Sequence, residues 1–576
     1  MNRNDDFYNL AFYFTIFLIV FSIYFSIASA QNLGAEYYFG LLFVPLLIIL
    51  AIFLKRTSSE IWVLNQIKGG WAKKNMRKRN FNSISEFHKQ VSKIDNKKFQ
   101  IDDQTWEDLN MNEVYGVIDR TLSEPGEQAL YHLLRTPSFN EIEIKKRSTI
   151  INLFRENSQL RQKMQVMLFK LGREKHNGVI SLLWEEELTV IKGGIIFYIM
   201  SGLSVLSIFS IIPFGIIGGC IMILVMFICN FAIHGIVKKN ISEDLPSIGK
   251  IGDLIRTAKA IKAIEHPTIQ EQVDSLNRLS QVCGFMAKKT IGIGRTEGID
   301  IMADYFNIFF LREEISYLSV IKGIKKYREE LRSMYIIIGE LDSYISIASY
   351  RDEIADFVEP EFTYDGSNIE ILDGRHPLIE ESIPNSITLQ RGGIILTGSN
   401  MSGKSTFLRM LGVNALLAQT IATCLAKTYK ASLLKVLTSI SPSDNLMGGK
   451  SYYLGEAEAL LRIIKATEDN VPALCMIDEI FRGTNPIERV SAAAEILDYL
   501  PNHNAMTIAA THDIELTEMV KNHYECYYFT EDVGEEGLIF DYRLRKGISN
   551  TRNAIKVLKF MGYPDEIIEG ANLRIK

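Results

Sequence analysis

The run Thr397-Gly-Ser-Asn-Met-Ser-Gly-Lys-Ser-Thr406 constrains the fold of this chain more than any other stretch. From Gly398 to Ser405 it has the G-x-x-x-x-G-K-[ST] spacing of a loop that wraps phosphate oxygens with backbone amides. The apolar run from Gly392 to Leu396 reads as a buried strand entering the loop, and Phe407 to Ala418 as an apolar helix leaving it. Strand, loop and helix together imply an anion site at a helix N-terminus. There the Lys404 ammonium reaches the β- and γ-phosphates of a nucleoside triphosphate, and the Ser405 hydroxyl serves Mg²⁺.

A second apolar strand, Ala473 to Ile477, ends in Asp478-Glu479. An acidic residue at such a strand end suits Mg²⁺ through water, the role assigned to Asp478. Glu479 then orients and deprotonates the attacking water. A third strand, Ala505 to Ala510, runs into Thr511-His512-Asp513 and sets an imidazole at the strand ends where open α/β sheets bind ligands. His512 is therefore a candidate γ-phosphate sensor, against the plainer reading of a structural histidine. The catalytic candidates are Glu479, His512 and Lys404, and the metal candidates Ser405 and Asp478.

Several separate stretches resemble the MutS-type mismatch-repair ATPases, relatives of the ABC ATPases. They include Asn400-Met401 and Phe407-Leu-Arg409, Asp478-Glu-Ile-Phe-Arg-Gly-Thr484, Gly374-Arg-His-Pro377 with Ile383-Pro-Asn385, and Met561-Gly-Tyr-Pro-Asp-Glu-Ile-Ile568. Upstream, Asn112 to Thr121 and Leu134-Arg-Thr-Pro137 resemble the start of that family's helical core. The resemblance implies an α/β P-loop (ABC-type) ATPase domain plus an all-α core or lever domain. It also implies ATP and Mg²⁺ as ligands and a homodimer through the ATPase domains, each nucleotide site being completed by the partner. Gly449 to Glu456 resembles the family's signature segment, so Ser451 is expected to reach the γ-phosphate in trans, with Asn445 and Glu456 as secondary candidates. Tyr542 stands where the family sets a ring against adenine, although a core tyrosine fits the residue type as well. The expected nucleotide-binding set is Gly398, Ser399, Asn400, Met401, Ser402, Gly403, Lys404, Ser405, Thr406, Ser451 and Tyr542.

The chain departs from that pattern at named places. Ser399 and Ser402 stand where the family has Pro and Gly, Phe481 replaces a small residue after the acidic pair, and Asn485-Pro486 replaces Ser-Thr. The larger departure is apolar: Phe7 to Ala30, Tyr37 to Leu54, Ile195 to Ile212 and Phe214 to Ile236 are runs of about the length that crosses a bilayer. A wholly buried core helix is the alternative reading. Basic residues flank the runs at Lys55-Arg56, Lys73-Lys74, Lys192 and Lys238-Lys239, while the connection Gln31 to Glu36 has neither Lys nor Arg. By the positive-inside rule both hairpins begin and end in the cytoplasm, giving an integral membrane protein with four spans and a cytoplasmic ATPase. Ala28-Ser-Ala30 also reads as a cleavage site, but Asp5-Asp6 and the length of the run oppose a signal peptide. Gly215 and Gly219, spaced G-x-x-x-G, would permit close helix approach.

The expected organisation is a hairpin at 1–56, a basic linker at 57–100, helical lever segments at 101–190 and 241–355 around a second hairpin at 191–240, and the ATPase domain at 356–576. Glu141 to Leu171, Ser247 to Val282 and Glu313 to Arg351 carry the helical periodicity of the levers. With 576 residues and a formal charge of -5, bulk charge does not mark a nucleic-acid binder. The six cysteines have no zinc or disulfide spacing. Nothing resembles the family's mismatch-reading domain, so DNA stays a partner by resemblance alone, with membrane lipid beside it. Two functions follow: a DNA-associated, membrane-anchored ATPase, or an ATPase that remodels membrane or drives transport without nucleic acid.

Overall fold

The apolar runs of the N-terminal half fold as helices, which satisfy backbone N–H and C=O groups within the segment itself. A computed structural model describes residues 3–94, 98–173, 178–185, 193–291, 301–354, 356–364, 366–390, 392–399, 401–440, 452–468, 471–481, 485–534, 537–548, 555, 558 and 561–575. The chain divides into two units, one formed by Met1–Lys73, Thr121–Pro125 and Phe154–Ile345, the other by Lys74–Arg120, Gly126–Leu153 and Ser346–Lys576. The segment expected as a single lever at 101–190 is thus shared between them.

In the first unit, helices Arg3–Leu33 and Phe43–Gly70 pack on each other through the 3-10 turn Ala35–Leu42. Phe14, Phe17, Phe21 and Phe25 form one stacked row along the first helix, and all four are exposed. Among the described residues three helical stretches are long and apolar enough to cross a membrane, namely Phe7–Asn32, Glu36–Gly70 and Ile211–Lys239. The run expected from Ile195 to Ile212 falls short: its helix, Ile195–Phe209, has 15 residues, where about 20 are needed to cross the hydrocarbon core. Its partner Ile211–Ile241 is broken at Gly215, where φ is 70°. A Cβ on Gly219 would lie 2.7 Å from Ile211 Cα, so the hairpin closes only over glycine there.

Polar side chains tie this hairpin to the helices that follow. Asn230 Nδ2 donates to Ser204 Oγ (2.8 Å) and to the Phe309 carbonyl (2.6 Å), and His234 Nδ1 lies 2.7 Å from Glu314 Oε1. The levers are shorter than their periodicity suggested. Glu141 to Leu171 is interrupted at Asn157, whose side chain caps helix Ser158–Leu171 by accepting from Leu160 N. Pro267 separates helices Leu245–Ile261 and Gln270–Lys289, and Arg312–Lys326 is distinct from Arg328–Ile354.

The second unit holds the sheets. In chain order the strands are β1 (Glu361–Phe362), β2 (Asn368–Gly374), β3 (Asn385–Gln390), β4 (Gly393–Thr397), β5 (Thr428–Ala431), β6 (Lys435–Ser439), β7 (Ala473–Asp478), β8 (Ala505–Ala510), β9 (Tyr524–Tyr528), β10 (Glu531–Gly534), β11 (Gly537–Phe540) and β12 (Arg545–Lys546). The main sheet runs β12-β9-β4-β8-β7-β6 and is parallel except for β12. β4, β7 and β8 are buried along their whole length, as strands covered on both faces must be. A smaller sheet, β1-β5-β2-β3, stands beside it. Helix Lys404–Ile421 is stopped at its far end by the buried Arg351 guanidinium, which donates to the carbonyls of Ile421 (3.1 Å) and Ala422 (2.7 Å), a cation on the negative helix terminus.

Candidate nucleotide site

β4 lies inside the sheet, between β8 and β9, so the loop after it opens at the carboxyl ends of parallel strands. Two glycines shape that loop. Gly398 has φ 143°, and a Cβ there would meet the Phe529 carbonyl at 2.7 Å. Gly403 has φ 110° and caps helix Lys404–Ile421. Ser402 Oγ donates to the Ser399 carbonyl (2.8 Å), which tightens the turn. Lys404 Nζ donates to the carbonyls of Gly398 and Ser399, both at 2.8 Å, so the ammonium lies across the loop that it would serve. Met401, at φ 68°, is exposed at the tip, and Thr406 lines the adjoining cleft.

The Ser405 hydroxyl donates to Asp478 Oδ2 at the end of β7. A hydroxyl and a carboxylate in contact at a phosphate loop form the hard-oxygen pair that Mg²⁺ takes, so these residues fit that ion. Glu479 N continues the ladder by donating to Ala510 O (2.9 Å), and its carboxylate Oε1 stands 3.1 Å from His512 Nε2. Adjacent strands β7 and β8 therefore bring the acid and the imidazole together across a gap in sequence that periodicity cannot bridge. Glu479 has φ 61° and Phe481 φ 59°, a left-handed region costly for side chains with a Cβ. At Phe481 the cost is offset by burial, because the ring sits in the core cluster with Leu460, Ile463 and Ala493.

A cleft of about 790 Å³ adjoins the loop, within the usual size of a small-molecule site. Tyr542 is 45% exposed on its wall, its ring 3.2 Å from where a Gly403 Cβ would be, and it stacks with Phe540 at 5.8 Å. Asn385 fixes that segment by donating to the Tyr542 carbonyl (3.0 Å) and accepting from Leu544 N (2.8 Å).

Glu531, Asn385 and His376 were missed from sequence. Ser399 Oγ donates to Glu531 Oε2 (2.6 Å) across 132 positions, and no local pattern signals that partner. Asn385 was visible only inside a motif, without a role. His376, in the same motif, is buried in the cleft wall: its Nδ1 accepts from Leu378 N (3.2 Å), and Nε2 has no hydrogen-bond partner among the described residues. Burial, with Arg409 nearby, pushes its pKa down to about 4, so at neutral pH the ring is uncharged with its proton on Nε2. Asn400, Asn445 and Ser451 lie outside the described residues, and Glu456 is buried on helix Tyr452–Ala466.

Comparison with known proteins finds similarity in the same region. Residues 394–576 match the family model of MutS domain V. The DNA mismatch repair protein MutS of Thermus aquaticus is 33% identical over 264 residues, which cover 45% of this chain and 32% of that protein. MutS of Fervidobacterium nodosum is 32% identical over 270 residues, with the same shares of 45% and 32%. MutS of Thermotoga maritima is 32% identical over 281 residues, 47% of this chain and 35% of that protein. The chain thus spans about a third of the length of the curated relatives it matches, and the similarity to MutS is a property of its C-terminal half.

Proposed function

We propose that this chain is a membrane-anchored, MutS-like ATPase that binds ATP and hydrolyses it in a site shared by two copies. The observation that carries the reading is the convergence of Lys404, Ser405, Asp478, Glu479 and His512 at the ends of β4, β7 and β8. Lys404 leaves its two carbonyls for the β- and γ-phosphates, exchanging neutral acceptors for charged ones. Ser405 and Asp478 would hold Mg²⁺, which would supply charge neutralisation at the phosphates when bound. Glu479 takes the proton of the attacking water, and His512 keeps its carboxylate aimed. Tyr542 offers a ring to the base. Ser451 completes the site of the opposite copy.

Membrane anchoring rests on exposed apolar helices and on parity. Lys55-Arg56 and Lys238-Lys239 belong on the same side, so a single complete crossing by the second hairpin would separate them. The hairpin formed by Ile195–Phe209 and Ile211–Ile241 therefore dips into the bilayer and returns to the face it left, and the 356–576 region stays in the cytoplasm. The relatives' printed name supports a DNA-associated role related to mismatch repair. One feature favours a second reading, membrane remodelling without DNA: the hairpin is bonded through Asn230 and His234 to the helices at 301–326.

ATP turnover of the full chain in detergent, with and without duplex or branched DNA, separates the two. Stimulation that falls steeply with salt supports the DNA role. Stimulation by lipid alone supports remodelling, and no ATP binding at all overturns both. Ser451→Arg should leave ATP binding intact and abolish turnover; unchanged turnover would remove the shared site.

A further inference from the structure

A second cavity, of about 330 Å³, lies in the first unit beside the apolar helix Ile195–Phe209. Lys288 and Lys289, from the last turn of helix Gln270–Lys289, and Arg312, at the start of helix Arg312–Lys326, line it together with Ser201, Phe306 and Phe310. Among the described residues no carboxylate lines the cavity, and none of the three cations is ion-paired. Arg312 Nη2 donates to the Ile291 carbonyl (2.8 Å), which holds the guanidinium in place.

Two acids follow Arg312 directly in sequence. Glu314 is fully buried beside His234. Glu313 is half-buried, and burial raises its pKa despite Lys238 and His234 close by. Three like charges in one recess repel each other unless an anion joins them. The lining is also aromatic: Phe306 is 55% exposed and packs against Phe310 at 4.7 Å. A ligand for this cavity thus carries a phosphate-like anion at one end and hydrocarbon at the other.

We propose that the cavity is a binding site for the phosphate headgroup of an anionic phospholipid, with Lys288, Lys289 and Arg312 on the phosphate and Phe306 and Phe310 against the upper acyl chain. Basic recesses beside apolar helices on the cytoplasmic side take such headgroups. The assignment rests on the reading that the neighbouring hairpin is embedded, and it is independent of ATP hydrolysis.

The test uses the full chain in neutral detergent micelles. Labelled phosphatidylglycerol is titrated against phosphatidylcholine and against inorganic phosphate, while carbonate extraction of cell membranes checks embedding separately. Saturable binding of phosphatidylglycerol, at least tenfold tighter than of phosphatidylcholine, is expected. It should weaken about fivefold for each charge removed and about a hundredfold in Lys288→Gln/Lys289→Gln/Arg312→Gln. Lys288→Arg/Lys289→Arg should restore binding, which distinguishes lost charge from lost folding. Equal phosphatidylglycerol binding by the wild type and the triple variant overturns the site. Competition by inorganic phosphate as strong as by phosphatidylglycerol overturns the lipid assignment. Release of the chain by carbonate, with micelle binding intact, would refute embedding and still support the pocket.

Discussion

Helices Phe43–Gly70 and Lys404–Ile421 are both strongly apolar, yet four residues of the first are buried and fifteen of the second. The second is enclosed by a sheet and by neighbouring helices. The first keeps Phe43, Leu46, Ile49 and Phe53 at 60% exposure or more. Apolar content alone is therefore ambiguous: it marks a surface that avoids water, and the surroundings decide whether protein or lipid covers it.

The sharpest way to break that comparison is to place one arginine in each helix. Leu411→Arg should unfold the second unit, with a loss of more than about 4 kcal/mol, because the side chain is fully buried and the charge would have no partner. Leu46→Arg, at a position 62% exposed, should leave thermal unfolding in detergent unchanged and weaken membrane retention, at roughly 3 kcal/mol for a charge at mid-bilayer. If Leu46→Arg also destabilised the protein in detergent, that face would be a protein contact.

Chemistry at the strand ends separates binding from turnover. Glu479→Gln should lower turnover by roughly 10²- to 10⁴-fold in a steady-state assay and leave equilibrium ATP binding intact. Lys404→Ala should weaken ATP binding by about a hundredfold, measured by calorimetry. Phe481→Gly should destabilise by a net ~2 kcal/mol: the left-handed backbone relaxes by ~1 to 2 kcal/mol, against ~3 to 5 kcal/mol lost with the buried ring. A stabilised Phe481→Gly protein would mean that the ring does not anchor this segment.

An effect of comparable or smaller size is one of pH, and the units should differ in its sign. His376 has its pKa lowered to about 4, so between that value and about 6.5 the unfolded chain binds more protons and stability falls as the solution is acidified. In the first unit burial raises the pKa of Asp342 to about 6, although Leu122 N, Ser123 N and Ser123 Oγ all donate to it. From about 4 to 6 its folded form holds the proton more tightly, so stability falls as pH rises. Melting curves across pH 4 to 7 should flatten in opposite senses for His376→Gln and Asp342→Asn, each by on the order of 1 to 3 kcal/mol.

Local order in this chain sufficed to read the loop at 398–405, the strands at 473–478 and 505–510 and the long apolar runs, since strand burial, loop spacing and helix length are set by neighbours in sequence. Breaks were less legible: Asn157 and Pro267 divide helices whose apolar periodicity runs on past them, and Ile195–Phe209 is shorter than its hydropathy suggests. The pairing of Glu479 with His512, of Ser399 with Glu531 and of Lys288-Lys289 with Arg312 belongs to the tertiary structure alone. Each joins groups far apart along the chain, and their encounter depends on which strand lies beside which and which helix covers which, relations that no local propensity contains.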